Sequence, residues 1–477
     1  MSATQQAVSL SPNTAGLKSS SLGFVETIGQ SLANISPTLT PAINVVAVAA
    51  LAGSGSWLVY GLATLGLLLV SLNIIVLASR SAAAGSFFVF ISRALGPMAG
   101  GIAGWGLIAA YTGTAMGLLA GEAIFVQNAF SAWGVAVPTY VVYILSVALV
   151  WFLSSRDIRL SSRLSLGIEV ASIAIVGGVL LLIFSHHPGH VVDMTQLTLK
   201  GTSTKGMAEA LVLGIFSFVG FESAASLGKE TRDPLRAIPR AVISSMLLAG
   251  VFFMFVAYSM VIGYGDDLNK LSNDTAPLMT LLTSLNMPKL GPIFYIIASV
   301  SAFACVLASI NAASRLLFSM GRYQFVHRSM GMVHVKHQTP HYAVAFASIV
   351  SLIVNLALLK TGALNTFGYT STFATFGFIL AYFLICVAAP AYLRKRGELK
   401  LANTVVGVLG GVGMLGAFFG SVYPVPAYPY NILPYLFIAY TILGFIWLGM
   451  LKKRSPQVLE KIEHDLESSE AEIFGRK

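Results

Sequence analysis

Apolar residues run through this chain in long blocks separated by short polar stretches, a pattern matched to the thickness of a bilayer rather than to one face of a soluble helix. The blocks predict about twelve membrane-spanning helices, near residues 24–52, 57–79, 97–130, 136–154, 164–184, 206–228, 238–263, 291–320, 342–360, 365–392, 403–423 and 432–451. Lipid offers no partner for an unpaired backbone group, so the expected fold class is an all-α polytopic membrane protein. Between spans 2 and 3, Arg80 to Gly96 carries Phe87, Phe88 and Phe90 but is too short to cross, and reads as an interfacial or re-entrant segment. The polar stretch from Asp266 to Lys289 is expected to cap the outer face.

Two spans carry interruptions. Span 1 contains Ala33-Asn34-Ile35-Ser36-Pro37-Thr38-Leu39-Thr40-Pro41, and proline, lacking a donor and clashing with the preceding turn, predicts a break just before Pro37. Span 6 contains Gly214-Ile215-Phe216-Ser217-Phe218-Val219-Gly220-Phe221-Glu222, where two glycines and a carboxylate at membrane depth again predict a broken helix. The interruptions stand five spans apart, which points to an inverted-repeat transporter with its site between them. Residues 21–392 then form a ten-helix transport core and 393–452 add two helices. Residues 1–20, Ser/Thr/Gln-rich and without the order of a cleavable leader, and 453–477 are read as cytosolic tails, the first disordered.

Composition agrees: 56% of residues are hydrophobic, 10% are charged and the mean hydropathy is +0.79, against about 25% charged in soluble proteins. The net charge of +10 does not imply nucleic acid, because of the 29 basic residues all but Lys200, Lys205, Lys270, Lys289 and Lys360 fall in alternate segments. By the positive-inside rule both termini lie in the cytosol, and the expected location is the cytoplasmic membrane. Cys305 and Cys386 both lie in apolar spans, with no Cys-x-x-Cys pattern, and read as packing residues. His327, His334, His337 and His341 in one loop, and His186, His187 and His190 in another, lack metal-ligand spacing and read as solvated; no metal site and no cofactor are expected. Glu122, late in span 3, reads as a solvated helix end.

The segment Gly220 to Arg240, G-F-E-S-A-A-S-L-G-K-E-T-R-D-P-L-R-A-I-P-R, resembles the signature of the amino acid–polyamine–organocation family. Ala308-Ser309-Ile310-Asn311-Ala312-Ala313-Ser314-Arg315 is similar to that family's helix 8, and Thr339-Pro340-His341 to the start of its helix 9. The resemblance implies a LeuT-type fold of two inverted five-helix repeats with substrate between the breaks of helices 1 and 6. The break here reads Ile35-Ser36-Pro37-Thr38 where many amino acid carriers have Gly-Ser-Gly, and Arg322-Tyr323-Gln324 stands for the usual Arg-Asp-Gly.

A zwitterionic amino acid needs an anion site beside a cation site. Amides around Ile35, Ser36 and Thr38 offer the positive end of a helix dipole to a carboxylate, and carbonyls of Phe216, Ser217 and Val219 can accept from an ammonium. The resemblance implies that Phe216 is an aromatic lid. Glu222 is assigned to gating or to tying the broken helix to its neighbours. Side-chain selectivity is expected from Tyr111, Thr112, Cys305, Asn311, Tyr369 and Thr370. No Lys or Arg is expected in the middle of a span, which favours neutral substrates; a polyamine or cationic amino acid is the alternative if Glu122, Glu169 and Glu222 all face the pathway. An enzyme would need a nucleophile–base pair or metal set, and a nutrient sensor a signalling domain. Glu169, alone among apolar residues of span 5, is disfavoured as an anion by burial, and falls where proton-coupled relatives carry a lysine. It is assigned to coupling, by a proton or less favourably by sodium, with a structural role as the alternative.

Overall fold

The computed structural model describes residues 17, 21–81, 85–156, 158–186 and 191–454. The tail expectations for residues 1–16, 18–20 and 455–477, including Lys18, Lys461, Arg476 and Lys477, and those for His187 and His190, lie outside the described residues.

Among the described residues nine helices are long and apolar enough to cross a membrane. With the shorter helix His341–Ala357 and two interrupted helices they make twelve crossings. Helix 1 is Phe24–Ile35, a break, then Thr40–Asn44 and Val45–Ala52; helix 2 is Ser56–Ala78, helix 3 Pro97–Ser131, helix 4 Thr139–Arg156 and helix 5 Ile158–His186. Helix 6 is Thr204–Phe216, a break, then the single turn Ser223–Ser226; helix 7 is Pro234–Gly263, helix 8 Leu290–Arg322, helix 9 His341–Ala357 and helix 10 Ala363–Lys395. Helices 11 (Leu401–Val422) and 12 (Leu433–Arg454) follow.

Helix 3 is the hub, with helices 8 and 10 packed along it and 89% of its apolar window buried, against 28% for helices 11 and 12 at the periphery. Small residues make the close approach: a Cβ on Gly113 would lie 2.9 Å from that of Ala374, and one on Gly377 2.4 Å from the Gly106 carbonyl. The segment between helices 2 and 3 is a short helix, Phe87–Leu95, whose three phenylalanines are fully covered. It packs against helices 3 and 10, with Phe87 on Tyr382 of helix 10 and Phe88 on Phe325 after helix 8.

Both breaks sit where the residues require them. At Ser36 the backbone turns left-handed, with φ 49°, and Pro37 follows with no N–H to continue the ladder. The chain then re-enters through a wide π-turn at Thr40–Asn44. In helix 6 the regular ladder ends at Phe216, and Gly220 adopts φ 96°, a conformation that L side chains avoid. No long helix resumes: after Ser223–Ser226 the chain runs to Thr231, which forms an isolated parallel bridge with Leu22.

Candidate transport site

The two breaks lie against each other at Asn34. Its amide packs on Gly220, its Oδ1 accepts from Ser309 Oγ at 2.5 Å, and its carbonyl accepts from Cys305 Sγ at 3.1 Å, so helices 1, 6 and 8 meet at one side chain. From this junction the broken pieces pair off. Toward the basic face, Gln30 Nε2 donates to the Ala308 carbonyl, Ser223 Oγ to the Gln30 carbonyl, and the Ala224 amide to Ser31 Oγ. Toward the opposite face, Asn44 Nδ2 donates to Ser217 Oγ at 3.0 Å.

The break of helix 1 concentrates buried polar atoms without a protein partner: Asn34 Nδ2, Thr38 Oγ1 and Thr40 Oγ1. Across from it, among the described residues, no donor reaches the carbonyl of Ser217 or Val219. Burying such groups unpaired costs about 1–3 kcal/mol each, so a polar group entering between the breaks would be stabilised by them. The surroundings are apolar. Phe216 meets Phe367 edge-on at 6.1 Å, Leu39 and Phe367 close on Gly121, and Ile35 and Val219 are buried beside the breaks.

Glu222 is sealed from solvent and accepts from two phenols, Tyr111 Oη at 2.8 Å and Tyr382 Oη at 2.5 Å. One carboxylate thereby fixes the end of the helix 6 break to helices 3 and 10. Glu169 is equally sealed and accepts from Ser301 Oγ with both oxygens, at 2.8 and 3.0 Å. Ser301 Oγ lies 3.3 Å from Ser36 Oγ, so a chain of hydroxyls joins this carboxylate to the break of helix 1. Ser172, one turn along helix 5, holds a further buried hydroxyl without a partner.

Not every candidate converges. Asn311 faces Arg315, accepting its Nη1 through both the carbonyl and Oδ1, at 3.1 and 3.3 Å. Arg315, one of the basic residues of the alternate segments, lies inside helix 8 with no exposed surface and makes a two-pronged pair with Glu230, at 2.8 and 3.1 Å. Tyr369 packs on Tyr430, 5.3 Å between ring centres, on the side of helix 10 that faces helix 12. Thr112 and Thr370 donate to the carbonyls of Ile108 and Thr366 in their own helices, Thr370 beside Gly117 of helix 3. Glu122 is buried and accepts from Ser146 of helix 4 at 2.6 Å, because helix 3 continues nine residues beyond it and is covered there. His334 lies tilted against His337 and edge-on to His341, and among the described residues no group of three metal-binding side chains converges. The reading from sequence passed over Asn34, Asn44, Ser301, Ser309 and Tyr382. Ser301, Cys305 and Ser309, spaced by four, would have shown a polar stripe on one face of helix 8.

Residues 27–453 match the amino acid permease family. The chain belongs to that family. Relatives of this permease include the branched-chain amino acid permease BcaP of Bacillus subtilis, 24% identical over 75% of this chain and 77% of its own length. The low-affinity putrescine importer PlaP of Escherichia coli is 24% identical over 65% and 69%. The aromatic amino acid permease FywP of Lactococcus lactis is 29% identical over 50% and 56%. The permease is a multi-pass membrane transporter of the LeuT type with broken helices 1 and 6, and not an enzyme.

Proposed function

We propose that this permease moves neutral amino acids with apolar side chains across the cytoplasmic membrane by alternating access, with its basic face and both termini in the cytosol. The observation that carries the reading is the polarity of the apposed breaks. Unpartnered donors at Asn34, Thr38 and Thr40 suit a carboxylate, and open carbonyls at Ser217 and Val219 suit an ammonium. Phe216, Phe367 and Leu39 leave an apolar wall for the side chain, with Phe216 as its lid. Neither Arg315, committed to Glu230, nor Glu222, held by two tyrosines, is free to serve as counter-ion to a charged side chain. Residues 21–392 form the transport core in this reading.

Glu169 is the coupling group. A carboxylate sealed from water, with Ser301 as its hydrogen-bond donor and no cation paired with it among the described residues, is stable there when neutral, or when a cation joins it. Its tie through Ser301 to Ser36 lets proton loading change the hydrogen bonding at the helix 1 break.

The test is uptake into proteoliposomes of radiolabelled branched-chain and aromatic amino acids, with competition by the corresponding decarboxylated amines. Apolar amino acids should accumulate and the amines compete poorly. An amine that competes as well as its parent overturns the carboxylate assignment and favours a polyamine substrate, the activity in the name of the Escherichia coli relative.

A further inference from the structure

Beside the start of helix 1, outside the transport site, two cavities meet. One, of about 220 Å³, lies between Leu22–Phe24 and the beginning of helix 7. Arg232, Arg236 and Arg240 line it, Arg232 just before helix 7 and Arg236 and Arg240 one turn apart on one face of it. Asp233 is the only carboxylate lining it, and among the described residues Arg236 and Arg240 are exposed and have no ion-pair partner. The other cavity, of about 740 Å³, is an apolar groove between helices 1 and 5, floored by Leu166, Gly167, Val170 and Ala171. Arg163, its one basic residue among those described, is taken by Glu26 at 2.7 Å. The cavities share Gly23 and Phe24, and Phe24, Val25 and Val170 around them are exposed.

We propose that an anionic phospholipid occupies this paired site, its phosphate held by Arg236 and Arg240 and an acyl chain lying in the groove between helices 1 and 5. Two observations commit the site to lipid. A pair of arginines without ion-pair partners would alone suit any anion, and an apolar groove alone any hydrocarbon, but here the two cavities adjoin, sharing Gly23 and Phe24. Electrostatic attraction of anionic lipid is worth about 1 kcal/mol per basic residue near the surface, and chain burial adds to it. The lipid bridges the first half of helix 1 to helices 5 and 7, so its binding holds that half in place and makes transport depend on the anionic fraction of the membrane.

Native mass spectrometry of the purified full-length permease with phosphatidylglycerol and phosphatidylcholine tests this. Wild type should prefer the anionic lipid by about tenfold or more, and Arg236→Gln with Arg240→Gln should abolish the preference. The corresponding lysine pair should retain it, as should Lys452→Gln with Lys453→Gln on the same face. Val170→Trp, which fills the groove, should lower retention of a long-chain lipid but not of a short-chain one with the same headgroup. The proposal is overturned if the glutamine pair at 236 and 240 keeps the preference or the Lys452/Lys453 pair loses it equally. It is also overturned if inorganic phosphate displaces the lipid, or if Val170→Trp leaves long-chain retention unchanged.

Discussion

The amide of Asn34 lies so close to Gly220 that a Cβ built on the glycine would meet Nδ2 at 2.5 Å. Asn34 cannot swing away without losing the hydrogen bond from Ser309. Gly220 is therefore required twice, by its positive φ and by this contact. Gly220→Ala should destabilise the purified protein by at least about 1 kcal/mol from backbone strain alone, with the clash added, and should abolish uptake. Gly413→Ala, at a site with nothing within 4 Å, should leave the thermal midpoint unchanged. An unaltered midpoint for Gly220→Ala would refute the apposition of the two breaks.

The two phenols on Glu222 should act as a unit. Tyr111→Phe and Tyr382→Phe each remove one donor from a sealed carboxylate, at about 1–3 kcal/mol. Combined with Glu222→Gln, either tyrosine change should cost less than it does alone, because the bond it removes is already altered. Thermal midpoints across this cycle read the coupling, and strictly additive losses would show that the bonds do not operate. Uptake rates should fall in all three single variants.

Coupling through Glu169 predicts that an imposed pH gradient drives accumulation in wild-type proteoliposomes while a sodium gradient does not. Glu169→Gln should lose the pH-driven component but still exchange substrate down its own gradient, and Ser301→Ala should weaken it by detaching the carboxylate from Ser36. Wild-type uptake that ignores the pH gradient, or a Gln variant that keeps full accumulation, removes the proton assignment. A response to sodium instead would make Glu169 a cation ligand.

Breaking the buried pair of Arg315 and Glu230 from one side should be severe, at about 3–5 kcal/mol for Arg315→Met or Glu230→Gln, since each leaves a group sealed from water without its counterpart. The double change Arg315→Met with Glu230→Leu should recover much of that loss. Thermal unfolding in detergent provides the measurement. A double variant as unstable as the worse single one would mean that the pair is needed for its shape rather than its charge balance.

The helices and both interruptions were legible because their causes are local. Apolar length sets the spans, Pro37 stops helix 1 one residue after the left-handed turn at Ser36, and Gly220 permits the turn in helix 6. Partners across helices were not legible, because two side chains far apart in sequence meet only through packing. Glu222 stood out as an acid at membrane depth, yet nothing in its own segment indicated Tyr382, 160 residues away. Asn311 and Tyr369 were chosen for their chemistry on helices 8 and 10, but packing directs them to Arg315 and to Tyr430. Arg315 lay near the end of a span and gave no sign of being buried, because its neutralising partner Glu230 lies in another segment.

The junction at the broken helices also governs how the chain is made. Asn44 finds Ser217 only 173 residues later, and Ser36 finds Ser301 only 265 residues later. At ribosomal speeds of about 5–20 residues per second, the first helix to emerge waits on the order of tens of seconds before helices 6 and 8 exist. Throughout that interval its break exposes Asn34, Ser36, Thr38, Thr40 and Asn44, groups that hydrocarbon does not solvate. Slowed synthesis between helices 1 and 6 lengthens the time for which these groups go without their partners.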